Sequence, residues 1–256
     1  MAQIRLWRAA AWHTTSRDGG ARSAHLLSFG AHYDADRVAV GPLVAHNDEW
    51  LPPGTGFAAH PHRDVEIVTW VVAGTLRHDD PGHGASLVSA GEAQWLDAGA
   101  GEGVLHAEAN AETSPGAPPA RFAQSWLRRP WDPDSVATPV ATPTEPRYRR
   151  IRPDPAALAQ GFTVVASGNP AHAGPEVLPL VNAGASLLVA RIGATERRAL
   201  ASVSLALVHV VSGAVVLAGD IDVAAGDAAI VTRPDAATLE VAAVDDAEVL
   251  AWVFGP

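Results

Sequence analysis

Gly54-Thr-Gly-Phe57-Ala-Ala-His60-Pro-His62-Arg-Asp-Val-Glu66 opens a stretch that closes with Gly103-Val-Leu-His106-Ala-Glu108. On an extended strand His60 and His62 point the same way, because side chains alternate faces with period 2. His106 and Glu108 repeat that spacing near the other end. Between the pairs, Val65-Glu-Ile-Val-Thr-Trp70-Val-Val72 and Ala85-Ser-Leu-Val-Ser-Ala90 read as strands. Folding the stretch back on itself brings three imidazoles and one carboxylate together. Such a set suits a divalent first-row transition metal better than Ca²⁺ or Mg²⁺, which prefer oxygen shells. Pro61 removes a backbone donor and so suits an edge or a bulge. Asp64 and Glu66 stand near enough in sequence to be considered as acceptors that fix the imidazole tautomers. The stretch therefore predicts a three-His, one-carboxylate site inside a small β-barrel.

The flanks carry the same β rhythm. Residues 51–127 give short strands broken by Gly, Pro and Asp, as in a sandwich or barrel. Ser23–Phe29 and Ala39–Val44 read as strands, with a loop at Tyr33–Asp36, and Arg121–Leu127 as a closing strand. Gly74 is expected to turn a tight hairpin through positive φ. His78, ending a strand beside two aspartates, reads as a surface or loop-anchoring residue and His83 as a loop residue, rather than ligands. His13, His25, His32 and His46 follow no ligand spacing. Phe57, Trp70 and Trp95 are the candidates for an apolar pocket, against core filling as the default for the two Trp residues. Gly99-Ala-Gly101-Glu-Gly103 lacks the Lys-Ser/Thr and the helix start of a phosphate loop.

Val71-Val-Ala-Gly74 followed by Ser89-Ala-Gly-Glu-Ala93 recurs as Val210-Val-Ser-Gly213 followed by Ala224-Ala-Gly-Asp-Ala228. Two copies of one β-domain explain this most simply. Aligning Gly74 with Gly213 puts Ala199 and Ala201 where His60 and His62 stand, so the second copy keeps the barrel and lacks the metal. The expected division is residues 1–130, a Pro-rich linker at 131–147, and residues 148–256. Arg147-Tyr-Arg-Arg-Ile-Arg152 reads as a solvated linker edge. The net charge of −10 argues against a phosphate-backbone binder. No apolar run approaches a membrane span, the N-terminus shows no secretory pattern, and cysteine is absent, all of which fit a cytoplasmic protein.

At these residues the chain resembles the cupin superfamily and, more closely, the pirin family within it. His60-Pro-His62-Arg, Glu66-Ile-Val-Thr-Trp70-Val-Val-Ala-Gly74, His78-Asp79, Gln94-Trp95 and Gly101-Glu-Gly-Val-Leu-His106-Ala-Glu108 carry the likeness, helped by Phe29-Gly-Ala-His-Tyr-Asp34. It departs at Ala58-Ala59 and at the doubled Ala-Gly of Asp97-Ala-Gly-Ala-Gly101. The resemblance implies an all-β bicupin, two tandem jelly-roll barrels with one metal in the N-terminal barrel. The implied metal is iron, while nickel, cobalt, manganese, copper and zinc also accept His and carboxylate donors. Other cupins take the carboxylate ligand from the position of Glu66; the pirin pattern moves it to Glu108. The implied activity is quercetin 2,3-dioxygenation of a flavonol with O₂, Glu108 serving as ligand and base. The competing expectation is a metal-dependent regulatory protein that acts through a protein partner and not on DNA directly. The resemblance also leans towards a monomer.

Overall fold

The computed structural model describes residues 3–99, 101–130, 145–201, 204–233 and 237–255. The chain divides into two compact units, His13–Arg152 and Met1–Trp12 with Pro153–Pro256. Among the described residues nearly all regular structure is β, with one short α-helix at Pro155–Gln160.

Strand β1 (Gln3–Trp7) belongs to the second unit. The first holds β2 (His13–Ser16), β3 (Arg22–His25), β4 (Leu43–Leu51), β5 (Gly56–His62), β6 (Val65–Ala73) and β7 (Thr75–Asp80). It continues with β8 (Gly84–Ser89), β9 (Ala93–Asp97), β10 (Val104–Asn110), β11 (Ala120–Arg128) and β12 (Arg147–Ile151). They form a seven-stranded sheet, β12-β9-β6-β11-β4-β3-β2, and a four-stranded sheet, β5-β10-β7-β8. Leu51, Val71 and Phe122 of the large sheet pack on Leu76 and Val88 of the small one. Each such side chain taken out of water contributes about 1.5–3 kcal/mol.

The second unit holds β13 (Thr163–Ser167), β14 (Leu178–Pro179), β15 (Ala185–Ile192), β16 (Arg197–Leu200) and β17 (Leu205–Ser212). β18 (Ala214–Leu217), β19 (Ile221–Ala224), β20 (Ala228–Thr232), β21 (Leu239–Ala243) and β22 (Ala247–Phe254) complete it. Its sheets run β1-β20-β17-β22-β15-β13-β14 and β16-β21-β18-β19. Apart from the outermost strand, where β14 follows β13 and pairs with it in parallel while β2 precedes β3 and pairs antiparallel, this is the diagram of the first unit, which is what the sequence repeat predicts.

Three expectations change. Gly74 has φ +70, but it turns no hairpin: β6 pairs with β9 and β11, whereas β7 pairs with β8 and β10. It is a corner at which the chain leaves one sheet for the other. Added Cβ atoms at Gly74 and Gly213 would lie 2.4 Å from the carbonyl oxygen of Pro119 and 2.2 Å from that of Asp246, so both copies need glycine there. Arg121–Leu127 lies inside β11, which is central, between β4 and β6. Arg147–Arg152 is no solvated linker edge. Residues 147–151 are β12, antiparallel to β9, with Arg147 on Asp97 and Arg152 on Glu92. Residues 131–144 of the expected linker lie outside the described residues. Each unit's large sheet is thus bordered, beside β9 or β20, by a strand (β12 or β1) that precedes the other copy in sequence.

Candidate metal centre

β5 and β10 are antiparallel neighbours in the small sheet, and their register sets His60 opposite His106 and Val104 opposite His62. Between the pairs His106–His60 and Glu108–Phe57 the register shifts, because Ala58 and Ala59 face the single residue Ala107. This bulge re-aims the side chains, a common device beside functional sites. It also leaves the Ala58 carbonyl to accept a 2.8 Å hydrogen bond from His60 Nδ1–H, so that Nε2 of His60 carries the lone pair.

The three rings gather closely. Centroid separations are 4.8 Å for His60–His62, 4.6 Å for His60–His106 and 4.9 Å for His62–His106. The ligating atoms of the triad lie within 4.8 Å of one another. Nε2 of His62 and Nε2 of His106 are buried with no hydrogen-bond partner. A buried polar atom left so costs about 1–3 kcal/mol, and a cation at the triad would satisfy both. Burial first, and then the neighbouring imidazoles, lower His62 to about 4. His106 is also lowered to about 4, chiefly by burial, against the pull of Glu108. Both rings are therefore neutral near pH 7, the form that ligates a metal. The donor set fits a transition metal.

Behind His106 stands a second layer. His78 is fully buried, with Nδ1 3.3 Å from Nδ1 of His106 and Nε2 3.0 Å from Asp80 Oδ2. If Asp80 takes the His78 Nε2–H and the ring is neutral, His78 Nδ1 accepts from His106 Nδ1–H. His106 Nε2 is then bare toward the triad. Burial works against a charge on His78, but Glu108 and Asp80 outweigh it and raise its pKa. Tyr148 of β12 stacks on His78 with centroids 4.6 Å apart.

Glu108 is buried and held at both oxygens. Gln94 Nε2 donates to Oε1 and Gln124 Nε2 donates to Oε2, each at 2.8 Å. Gln94 in turn accepts from Tyr148 Oη–H, and Gln124 from Trp126 Nε1–H, each at 3.0 Å. Burial alone would raise the carboxyl, but His78, His106 and Gln124 bring it down to about 2. Glu108 is an anion at working pH. It groups with His78 and His106, whereas His60 and His62 group with His106 on their own; the two sets share that ring.

The model of the family described as Pirin matches residues 9–127. A Mycobacterium tuberculosis (H37Rv) protein named "Putative quercetin 2,3-dioxygenase" is 35% identical over 245 residues, 96% of this chain and 93% of that one. The chain belongs to the pirin family. An Escherichia coli (K12) protein named quercetin 2,3-dioxygenase is 40% identical over 88 residues, 34% of this chain and 37% of its own. The crystal structure of the bacterial pirin YhhW from Escherichia coli in complex with nickel(II) superposes with a TM-score of 0.81 at 25% identity. That match covers 99% of this chain and all of the other. The bicupin architecture expected of a pirin is the one described above.

Of the residues singled out in sequence, His60, His62 and His106 meet as one group, and Glu108 joins the third. Phe57 lines a cavity of about 440 Å³ together with His60, Glu108, Phe29 and Trp126. Trp70 and Trp95 are fully buried in the large sheet and do not line it; Trp95 Nε1–H donates to Glu66 Oε1 at 3.0 Å. Glu66 is thus bound to Trp95 and is not grouped with the triad. Asp64 is exposed and pairs with Arg63, which leaves the tautomer-fixing work to Ala58 and to Asp80 through His78. His78, expected at the surface or as a loop anchor, is instead buried within β7 behind His106, and Gln94, Gln124 and Tyr148 are members with no expected role in the site. The signal for Gln124 was present: one amide inside the apolar run Phe122-Ala-Gln-Ser-Trp126. In the second unit Ala199 and Ala201 border a separate cavity, and no metal-competent group occurs there among the described residues.

Proposed function

We propose that this pirin is a metal-dependent dioxygenase that opens the heterocyclic ring of a flavonol with O₂ and releases carbon monoxide. The observation that carries the reading is the histidine triad, with two partnerless buried Nε2 atoms, beside an aromatic-walled cavity of ligand size. The names of the relatives supply the substrate class. His60, His62 and His106 would hold one metal per chain, with Glu108 as the further carboxylate. Iron is the expected metal; nickel, cobalt, manganese, copper and zinc suit the same donors. A metal there supplies Lewis acidity, which lowers the pKa of a hydroxyl it holds. Phe29, Phe57 and Trp126 flank the flavonol rings and keep water from them. Glu108 takes the hydroxyl proton once substrate displaces the Gln124 amide from Oε2, since that contact helps to hold its basicity down. Gln94 keeps the carboxylate in place through Oε1 meanwhile.

The test is flavonol consumption under air by protein loaded with iron or nickel, with His106→Ala as control. Consumption by wild type alone, with carbon monoxide evolved, is the expected result. Stoichiometric metal binding without consumption overturns the reading in favour of a metal-dependent regulatory role through a protein partner.

A further inference from the structure

The wall of the cavity that faces the histidines from the large sheet holds a carboxyl for which the chemistry above has no task. Glu49, in β4, is 2% exposed and lines the same cavity as His60 and Glu108. Ser23 Oγ–H donates a short hydrogen bond to Glu49 Oε2. Arg17 Nη2 donates to Ser23 Oγ at 2.6 Å and stands 3.6 Å from the same Oε2. The Arg17 guanidinium also lies 4.2 Å over the Phe57 ring, so one side chain steadies both the acid and an aromatic wall. Both contacts to the Glu49 carboxyl itself reach Oε2. Among the described residues Oε1 receives no donor.

A purely structural role accounts for Oε2 alone. Tying β3 to β4 through a serine needs one acceptor, and a neutral amide supplies it without the desolvation of a carboxyl. An acid kept at such a place, with one oxygen free toward a ligand-sized cavity, is the arrangement that recognition of a donor requires. Phe29, Phe57 and Trp126 give the same cavity aromatic lining.

We propose that Glu49 Oε1 accepts a hydrogen bond from a substrate hydroxyl other than the one held at the metal, so that the cavity selects polyphenols over flavonols with a single hydroxyl. This rests on the flavonol reading. Burial pushes the Glu49 carboxyl up to about 7, against the Ser23 bond and the Arg17 charge, with the Glu108 and Asp48 charges adding to the rise. The group thus changes its hydrogen-bonding character near neutrality, which makes polyphenol selection pH-dependent.

The experiment measures tryptophan quenching in metal-loaded protein by two probes, quercetin and 3-hydroxyflavone. The second keeps the metal-binding hydroxyl and carbonyl and lacks the outer-ring hydroxyls. Wild type is expected to bind quercetin about tenfold more tightly or better, the scale of one charge-assisted hydrogen bond. In Glu49→Leu and Glu49→Gln the preference is expected to fall to about threefold or less and to lose its variation between about pH 6 and 8.5. Glu49→Gln keeps an acceptor for Ser23 and serves as the test if the leucine variant melts early. An unchanged preference in the variants overturns the Glu49 assignment and leaves the flavonol reading standing; so does equal binding of both probes by wild type. Failure of wild type to bind either probe overturns the flavonol reading and this assignment with it.

Discussion

Glu108 and Glu49 show how two carboxyls in one cavity come to differ. Both are buried, but Glu108 accepts from two amides and neighbours two imidazoles, whereas Glu49 has one hydroxyl and a half-exposed guanidinium. We expect Glu108→Gln to retain metal at about the wild-type stoichiometry and to lose about 100-fold or more in kcat, the usual contribution of a positioned base. Undiminished turnover in that variant would remove the base assignment. Glu49 behaves oppositely with pH. Its folded-state pKa of about 7 lies above the ordinary 4.5. The folded chain therefore keeps a proton that the unfolded chain releases, and stability declines as pH rises through this window. Glu49→Gln should accordingly be more stable than wild type at pH 8 by on the order of 2 kcal/mol, and little changed at pH 5. Denaturant midpoints at the two pH values check this. His62 and His106, at about 4, lie below the ordinary 6.5. Here the unfolded chain binds the extra protons, so the metal-free protein should lose stability as pH falls from 6.5 toward 4.

β5 and β10 meet at the bulge, and their approach near the site depends on Gly103. This residue has φ +83, and a Cβ there would lie 2.2 Å from the His62 carbonyl oxygen. Gly103→Ala is expected to lower stability by about 1–3 kcal/mol or more and to weaken metal binding, because it pushes β10 from the strand that bears His62. Thermal melts and metal titration together test it; an unaltered metal affinity would mean that β5 yields without moving the triad. The His-x-His and His-x-Glu pairs could be read as ligand-bearing because period-2 alternation is a property of consecutive residues. The bulge could not, since it arises from how β5 is paired with β10. Gly74 illustrates the same limit. Its positive φ is local and was foreseen, while its place as a corner between sheets follows from pairings that no neighbouring residue reports.

The duplicated fold has one consequence for where the chain can be cut. A break after Pro130 would remove β12, exposing the edge of β9 and losing the Tyr148 contacts to His78 and Gln94. Such a fragment is expected to aggregate and to bind metal poorly, as unpaired edges do. The fragment His13–Arg152 retains β12 and should hold one metal per chain. Size-exclusion and metal analysis of the two fragments distinguish them; equal behaviour would show that β12 contributes nothing to the site.

Much of this protein was readable before folding. The repeated Val-Val-x-Gly turn disclosed the duplication, and the missing histidines at Ala199 and Ala201 left the second copy without a ligand pair. These are facts about short windows, in which side-chain direction and backbone sign follow from adjacent residues. The partners of the site are of another kind. Tyr148 on His78, Gln124 on Glu108 and Glu49 on the cavity wall come from strands far apart in the chain. Their meeting is set by strand order and register, which hydrophobic burial across two sheets selects and no spacing in the sequence records.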